Sequence, residues 1–151
     1  MTEPQATVSR FNRTFDAQHQ LQDDVAQITA SGSGTVGGSA VIKDLGPGQM
    51  EFTAVFDVNT MDATTGDELY LCQIQGSTVS NFASGVVVLA TLVIGGATAT
   101  FESAASTVGR YFLRGHNTKY GNVYRYVRAR FVLSGTTPIL DAECYLSAYA
   151  V

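Results

Sequence analysis

Few residues in this 151-residue chain could perform covalent or acid–base chemistry. There are two histidines, His19 and His116, and two cysteines, Cys72 and Cys144, and their separations fit no zinc-ligand pattern. His116 lies in the polar stretch GHNTKYGN and reads as a loop-tip residue. His19 reads as part of a polar N-terminal arm. Both cysteines fall in apolar alternating segments, where a free thiol behaves as a small buried hydrophobe; a disulfide is the alternative, and nothing in the spacing supports it. The acidic pairs Asp23-Asp24 and Asp67-Glu68 flank loops, but they lack the ordered D-x-[DN]-x-[DN]-G pattern of a calcium loop. The sequence contains no nucleophile elbow, Walker A, HExxH or Cys-x-x-Cys motif. We therefore expect no enzyme, cofactor or metal site. An enzyme on this scaffold would have to be built on His116.

The remaining chemistry is that of recognition. From Val123 to Leu133 the chain alternates aromatic and β-branched residues without Gly or Pro, which predicts one long strand. Val123, Arg125, Val127, Ala129, Phe131 and Leu133 share one face, which is apolar except for Arg125. Tyr124, Tyr126, Arg128 and Arg130 share the other. The apolar parity should sit on a core and leave a tyrosine–arginine face outside. Tyr and Arg are favoured where proteins meet. Bases could also stack on such tyrosines, but the net charge of −4 argues against nucleic acid. Tyr120, Tyr124 and Tyr126 would equally suit a carbohydrate- or receptor-binding module, for example one carried on a phage tail.

The charge is segregated along the chain. Residues 103–140 carry Arg110, Arg114, Lys119, Arg125, Arg128 and Arg130 and no acid, whereas the sequence before and after them is acidic. A basic segment in an acidic chain is a candidate docking face.

The elements that must hold this face are strands. The closing segment, 140–151, also alternates, with Leu140, Ala142, Cys144, Leu146, Ala148 and Ala150 on one side. The linker SGTTPI (134–139) could close a hairpin that sets Arg130 opposite Glu143 and Arg128 opposite Tyr145. It could instead cross to a second sheet. Further strands are expected at Val25–Thr29, Val41–Leu45, Met50–Val58, Leu69–Gln75 and Arg110–Arg114. Val86–Ile94 and Ala97–Phe101 are expected to form a hairpin around Gly95-Gly96. The longest apolar run, Val86–Ile94, falls far short of the roughly 20 residues of a spanning helix, and the first residues show no apolar signal core, so neither a membrane nor secretion is expected. The expected fold is all-β: a single-domain antiparallel β-sandwich or jelly roll of about eight strands spanning 21–151, preceded by an arm at 1–20.

Four segments in order carry a family resemblance: DAQHQLQDDVAQITAS, VIKDLGPGQMEFTAVFDV, LYLCQIQGSTVSNFAS, and YFLRG…YRYVRARFVLSGT followed by an alternating last strand. Together they resemble the capsid cement (decoration) proteins of tailed bacteriophages, the small jelly-roll type. The likeness runs from about Asp16 onward; GHNTKYGN and residues 1–15 depart from it. It implies a non-enzymatic virion protein, made in the host cytoplasm, that sits as a small homo-oligomer on the outer surface of the capsid. There it would bridge major capsid protein subunits and stabilise the shell. On that reading the interface residues are Tyr124, Tyr126, Arg128, Arg130, Arg110 and Arg114, with Arg10, Phe11, Arg13 and Phe15 in the arm.

Overall fold

The computed structural model describes residues 19–96 and 108–148. The early chain supplies five short strands: β1 (Gln20–Gln22), β2 (Gly32–Ser33), β3 (Thr35–Val36), β4 (Ser39–Ala40) and β5 (Lys43–Asp44). Three longer strands follow, β6 (Glu51–Met61), β7 (Leu69–Ser77) and β8 (Val87–Ile94). After the undescribed stretch come β9 (Gly109–His116), β10 (Thr118–Lys119), β11 (Asn122–Val123), β12 (Tyr126–Ser134) and β13 (Leu140–Ala148). Among the described residues no helix is long and apolar enough to cross a membrane.

Two antiparallel sheets make the sandwich. Sheet A has the order β1-β13-β6-β9; sheet B has the order β2-β12-β7-β8, with β5 also paired to β12. The alternation of each long strand decides which side faces in. From sheet A, Phe52, Ala54, Phe56 and Val58 of β6 and Leu140, Ala142, Cys144 and Leu146 of β13 point inward. They meet Tyr70, Cys72 and Ile74 of β7 and Val127, Ala129 and Phe131 of β12. Phe56 and Phe131 touch edge to face across the core, 6.3 Å between ring centroids. Each fully buried Phe, Leu or Ile contributes roughly 1.5–3 kcal/mol, so this shared apolar layer, not the surface charges, holds the sheets together.

Several expectations are corrected. The long strand from 123 is interrupted, because β11 ends at Val123 and β12 starts at Tyr126. At the break the chain changes partners: the Tyr124 N–H donates to the Asn117 carbonyl, and the Arg125 carbonyl accepts from the Leu45 N–H. Parity is lost there, and Arg125 swings out to pair with Asp44.

The linker 134–139 is a crossover and no hairpin. β12 pairs along its whole length with β7, Leu133 facing Tyr70, while β13 pairs with β6, Leu140 facing Met61. The crossover lets the two apolar faces oppose each other across the core, whereas a hairpin would set them side by side in one sheet. Consequently Arg130 lies opposite Gln73, not Glu143, and Arg128 opposite Gln75, not Tyr145.

The strand expected at 25–29 reduces to one bridge, Ile28 to Leu140; the strand in that region is β1, whose Leu21 enters the core. The Asp23 carboxylate accepts from the N–H groups of Gly37 and Val25, which turns the chain away after β1. The segment 41–45 is extended only at β5, and β4 ends before it. β8 pairs with β7; its expected hairpin partner, 97–101, lies outside the described residues.

Candidate protein-interaction site

The outer face of sheet B is built by rows that cross three or four strands. One row runs Ser33–Arg130–Gln73–Thr91, and the next Arg128–Gln75–Val88. Both arginines are half-buried. Arg128 is fixed: its Nε donates to Gln75 Oε1 at 3.0 Å, and its guanidinium lies 4.4 Å from the Phe82 ring centroid. That contact is a cation–π stack, and Phe82 reaches it from the 78–86 loop through a left-handed backbone, φ 56°. Burial, and next the neighbouring Arg130, hold the Arg128 guanidinium below its ordinary range. Arg130 forms no ion pair or side-chain hydrogen bond among the described residues. Asp44, on β5 opposite Tyr126, is already taken: Arg125 clasps it with two bonds of 2.7 and 2.8 Å. This clasp, followed by the Gly46 N–H, holds the Asp44 carboxyl down at about 2. The face therefore presents two adjacent cations with no facing carboxylate.

Of the expected face, Tyr126, Arg128 and Arg130 lie together, but Tyr124 does not. It is buried at 6 % exposure, packed over Gly76, which has no side chain to exclude it. Arg110 and Arg114 belong to the other side of the molecule, on β9 at the outer face of sheet A. There Arg110 makes a bidentate pair with Asp57 at 2.6 and 2.8 Å, and Arg114 lies 4.0 Å from Glu51. Phe112 stands between them, 55 % exposed; the same parity that turns the arginines outward marks it in the sequence. Arg10, Phe11, Arg13 and Phe15 lie outside the described residues.

The stretch read as a plain loop, GHNTKYGN, is an ordered hairpin. β10 and β11 pair around the two-residue turn Tyr120-Gly121, and both turn residues have positive φ, 52° and 77°. Its base is pinned by Asn117, which is wholly buried. Asn117 Oδ1 accepts from the Met50 N–H (2.8 Å), and its Nδ2 donates to the Gly48 carbonyl (3.0 Å). Lys119 Nζ donates to the Val88 carbonyl, tying the hairpin to β8. At the tip Tyr120 is 80 % exposed. Sequence reasoning could find this tip only through the Tyr-Gly pair, a weak turn signal, and nothing marks Asn117 in advance.

No family model, curated protein or solved structure matches this chain. His116 is exposed, but it is the last residue of β9, paired with Glu51, and no loop tip; its Nδ1 lies 2.9 Å from Thr118 Oγ1. Cys72 and Cys144 are buried free thiols. Asp67 and Glu68 clasp their own loop: the Thr65 hydroxyl lies between the two carboxylates and its one proton goes to either of them, while Asp67 also accepts from the Thr136 N–H and hydroxyl and Glu68 from the N–H groups of Thr65 and Gly66. No group of three or more His, Cys, Asp or Glu side chains among the described residues could hold a metal ion. A cavity of about 100 Å³ beside His19, Asp44, Phe52 and Leu146 is smaller than the roughly 300–1,000 Å³ of small-molecule sites.

Proposed function

We propose that the chain is a structural virion protein that attaches to the outside of a bacteriophage shell and stabilises it by bridging major capsid protein subunits. The observation that carries a binding role is Tyr120. A tyrosine in left-handed backbone at the first position of a two-residue turn is unfavourable, roughly 1–2 kcal/mol for an L-residue, and here the ring gains no burial in return, with the Lys119 ammonium 5.2 Å from its centroid. Strain at an exposed aromatic is the mark of a residue kept for contact. The pinned hairpin holds the ring ready, so little freedom is lost when it docks. A projecting rigid aromatic suits a recess between shell subunits. The family resemblance in the sequence names the shell, and jelly-roll topology is what that family leads us to expect. Cementing needs only modest affinity per copy, because many copies act on one lattice.

The same exposed Tyr120 favours a second reading, a carbohydrate-binding module in which a sugar ring stacks on the phenol. Co-sedimentation separates the two. The purified chain is expected to pellet with expanded, DNA-filled heads and not with unexpanded proheads. Failure to pellet with either, together with hits on a glycan array, would transfer the function to the second reading.

A further inference from the structure

We infer that residues 1–18 fold back over the outside of sheet A of their own chain, with Phe11 and Phe15 against Tyr145 and Val55, and Arg10 and Arg13 toward Glu143 and Asp57. The inference does not depend on the shell-binding reading.

Sheet A is buried on a side where the sandwich gives it nothing to pack on. A strand with one covered face alternates in burial, as β12 does from Tyr126 to Phe131. In β6 that alternation fails. Phe52 to Phe56 are all buried, Thr53 and Val55 among them, although these two are on the parity that points away from sheet B. On β13, Tyr145 is likewise buried on the outward parity, in a row between Gln20 and Val55. Val55 and Tyr145 stand apart from the core shared by the two sheets. The small hairpins do not supply this cover. The Asp23 N–H donates to the Thr35 carbonyl and the Gly34 N–H to the Ala129 carbonyl, which keeps β3–β4 at the edge beside β1 and β12. Lys119 ties β10–β11 to Val88 of sheet B.

The extent of the cover points to the segment that forms it. Phe112 follows Val55 in the same row, on the edge strand β9, and is exposed. The cover therefore lies over β13 and β6 and stops short of β9. Residues 97–107 join β8 to β9 and would have to cross that open edge first; they also carry Glu102 and no base. Residues 149–151 are too few to turn back over β13. Residues 1–18 lead into β1 on the covered side, where Gln20 lies opposite Tyr145. From β1 to β6 is two strand spacings, roughly 10 Å, and a segment of that length reaches several times as far.

The same segment supplies what the face calls for. Phe11 and Phe15 can bury against the Tyr145 ring and Val55, and Arg10 and Arg13 bring positive charge to an acidic side. There Glu143 faces Asp24, Asp57 and Asp23, with Arg110 as the opposing charge; burial first and then these carboxylates push its carboxyl above the usual range. Thr53 Oγ1 is buried with no hydrogen-bond partner among the described residues, and a backbone group of the covering segment would satisfy it.

Paramagnetic relaxation in the full chain tests this. Cys72 and Cys144 are buried, so a nitroxide reagent labels only the new thiol of Asn12→Cys. The amide signals of Thr53, Val55 and Tyr145 should be lost in the labelled chain and return when the nitroxide is reduced. Those of Gln73 and Arg130, on the outside of sheet B, should persist. In an equimolar mixture of isotope-labelled wild type with spin-labelled chain lacking the isotope, every signal should persist. Phe11→Ala with Phe15→Ala in the spin-labelled chain should restore the three sheet A signals. Arg10→Glu with Arg13→Glu should restore them at about 0.05 M salt and less so at about 0.5 M, where the Debye length falls to a few ångströms. Thr14→Cys serves as the label site if the Asn12→Cys chain fails to fold, which thermal melting reports. Persistence of the three signals in the labelled chain would overturn the inference and pass the cover to residues 97–107. Their loss in the mixture would overturn it too, by assigning the cover to another copy.

Discussion

Asn117 and Tyr120 show how a single buried amide serves an exposed ring. Asn117 joins the turn before β6 to the base of the hairpin through its side chain and both of its backbone groups. Asn117→Ala leaves the Met50 N–H and the Gly48 carbonyl without those partners. It should cost about 1–3 kcal/mol, read by chemical denaturation, and should loosen the hairpin. Tyr120→Asn should do the opposite to stability. Asn tolerates positive φ and Asn-Gly is the preferred pair for this turn, so the melting temperature should rise, by up to about 1 kcal/mol in free energy. If the ring is kept for docking, the same variant should bind expanded heads more weakly in the co-sedimentation assay. A lower melting temperature would mean instead that the ring contributes to the domain's own packing.

Among the elements, the 134–139 crossover decides which strands become neighbours, and it is held by a few polar contacts. Gly135 has φ 100°, and a Cβ there would fall 2.5 Å from the Asp67 carbonyl oxygen. Thr136 bonds Asp67 through both its N–H and its hydroxyl, and Tyr70 Oη accepts from the Ile139 N–H at 3.1 Å. The Thr65 hydroxyl first, then the Thr136 N–H and hydroxyl, hold the Asp67 carboxyl at about 2, below its ordinary 3.8. A depressed carboxyl stabilises the fold fully above 3.8 and loses that contribution as pH falls through about 2. Asp67→Asn should therefore lower the melting temperature at neutral pH and flatten its decline between pH 4 and 2, and a pH series of melts checks this. The sequence shows why 134–139 was ambiguous. The alternation of 126–134 and 140–148 reveals the inward residues of β12 and β13 whichever sheet each one joins. Pairing partners depend on what lies across the core, and that is non-local. The break at 124–125 was hidden for a similar reason: Tyr124 and Arg125 have strand propensity, and only the competing bond to Asn117 and the clasp on Asp44 interrupt the ladder. So the outward arginines Arg128 and Arg130 were legible from parity, while the inward turn of Tyr124 was not.

At the scale of the molecule, the two sheets share one apolar layer, and the cysteines report on it from both sides. Cys72 belongs to β7 of sheet B and Cys144 to β13 of sheet A, and both side chains point into the common core. Burial pushes the Cys72 thiol up to about 12 and the Cys144 thiol well above its ordinary value, the latter also raised by Cys72. Only the thiolate reacts with an aromatic disulfide reagent, so neither sulfur should react in the native state at pH 8. Labelling then requires opening. If the sandwich opens as one unit, both cysteines should label at the same rate, in step with the global unfolding equilibrium. Phe131→Ala removes the ring that touches Phe56 between the sheets and should cost about 3–5 kcal/mol. Since each 1.4 kcal/mol is tenfold in an equilibrium constant, both labelling rates should rise by about 100-fold or more, together. If Cys72 labelled much faster than Cys144, sheet B would be peeling from sheet A on its own. On the proposed shell-bridging role it should not do that, because tension applied across the sandwich acts on the core that joins the two sheets.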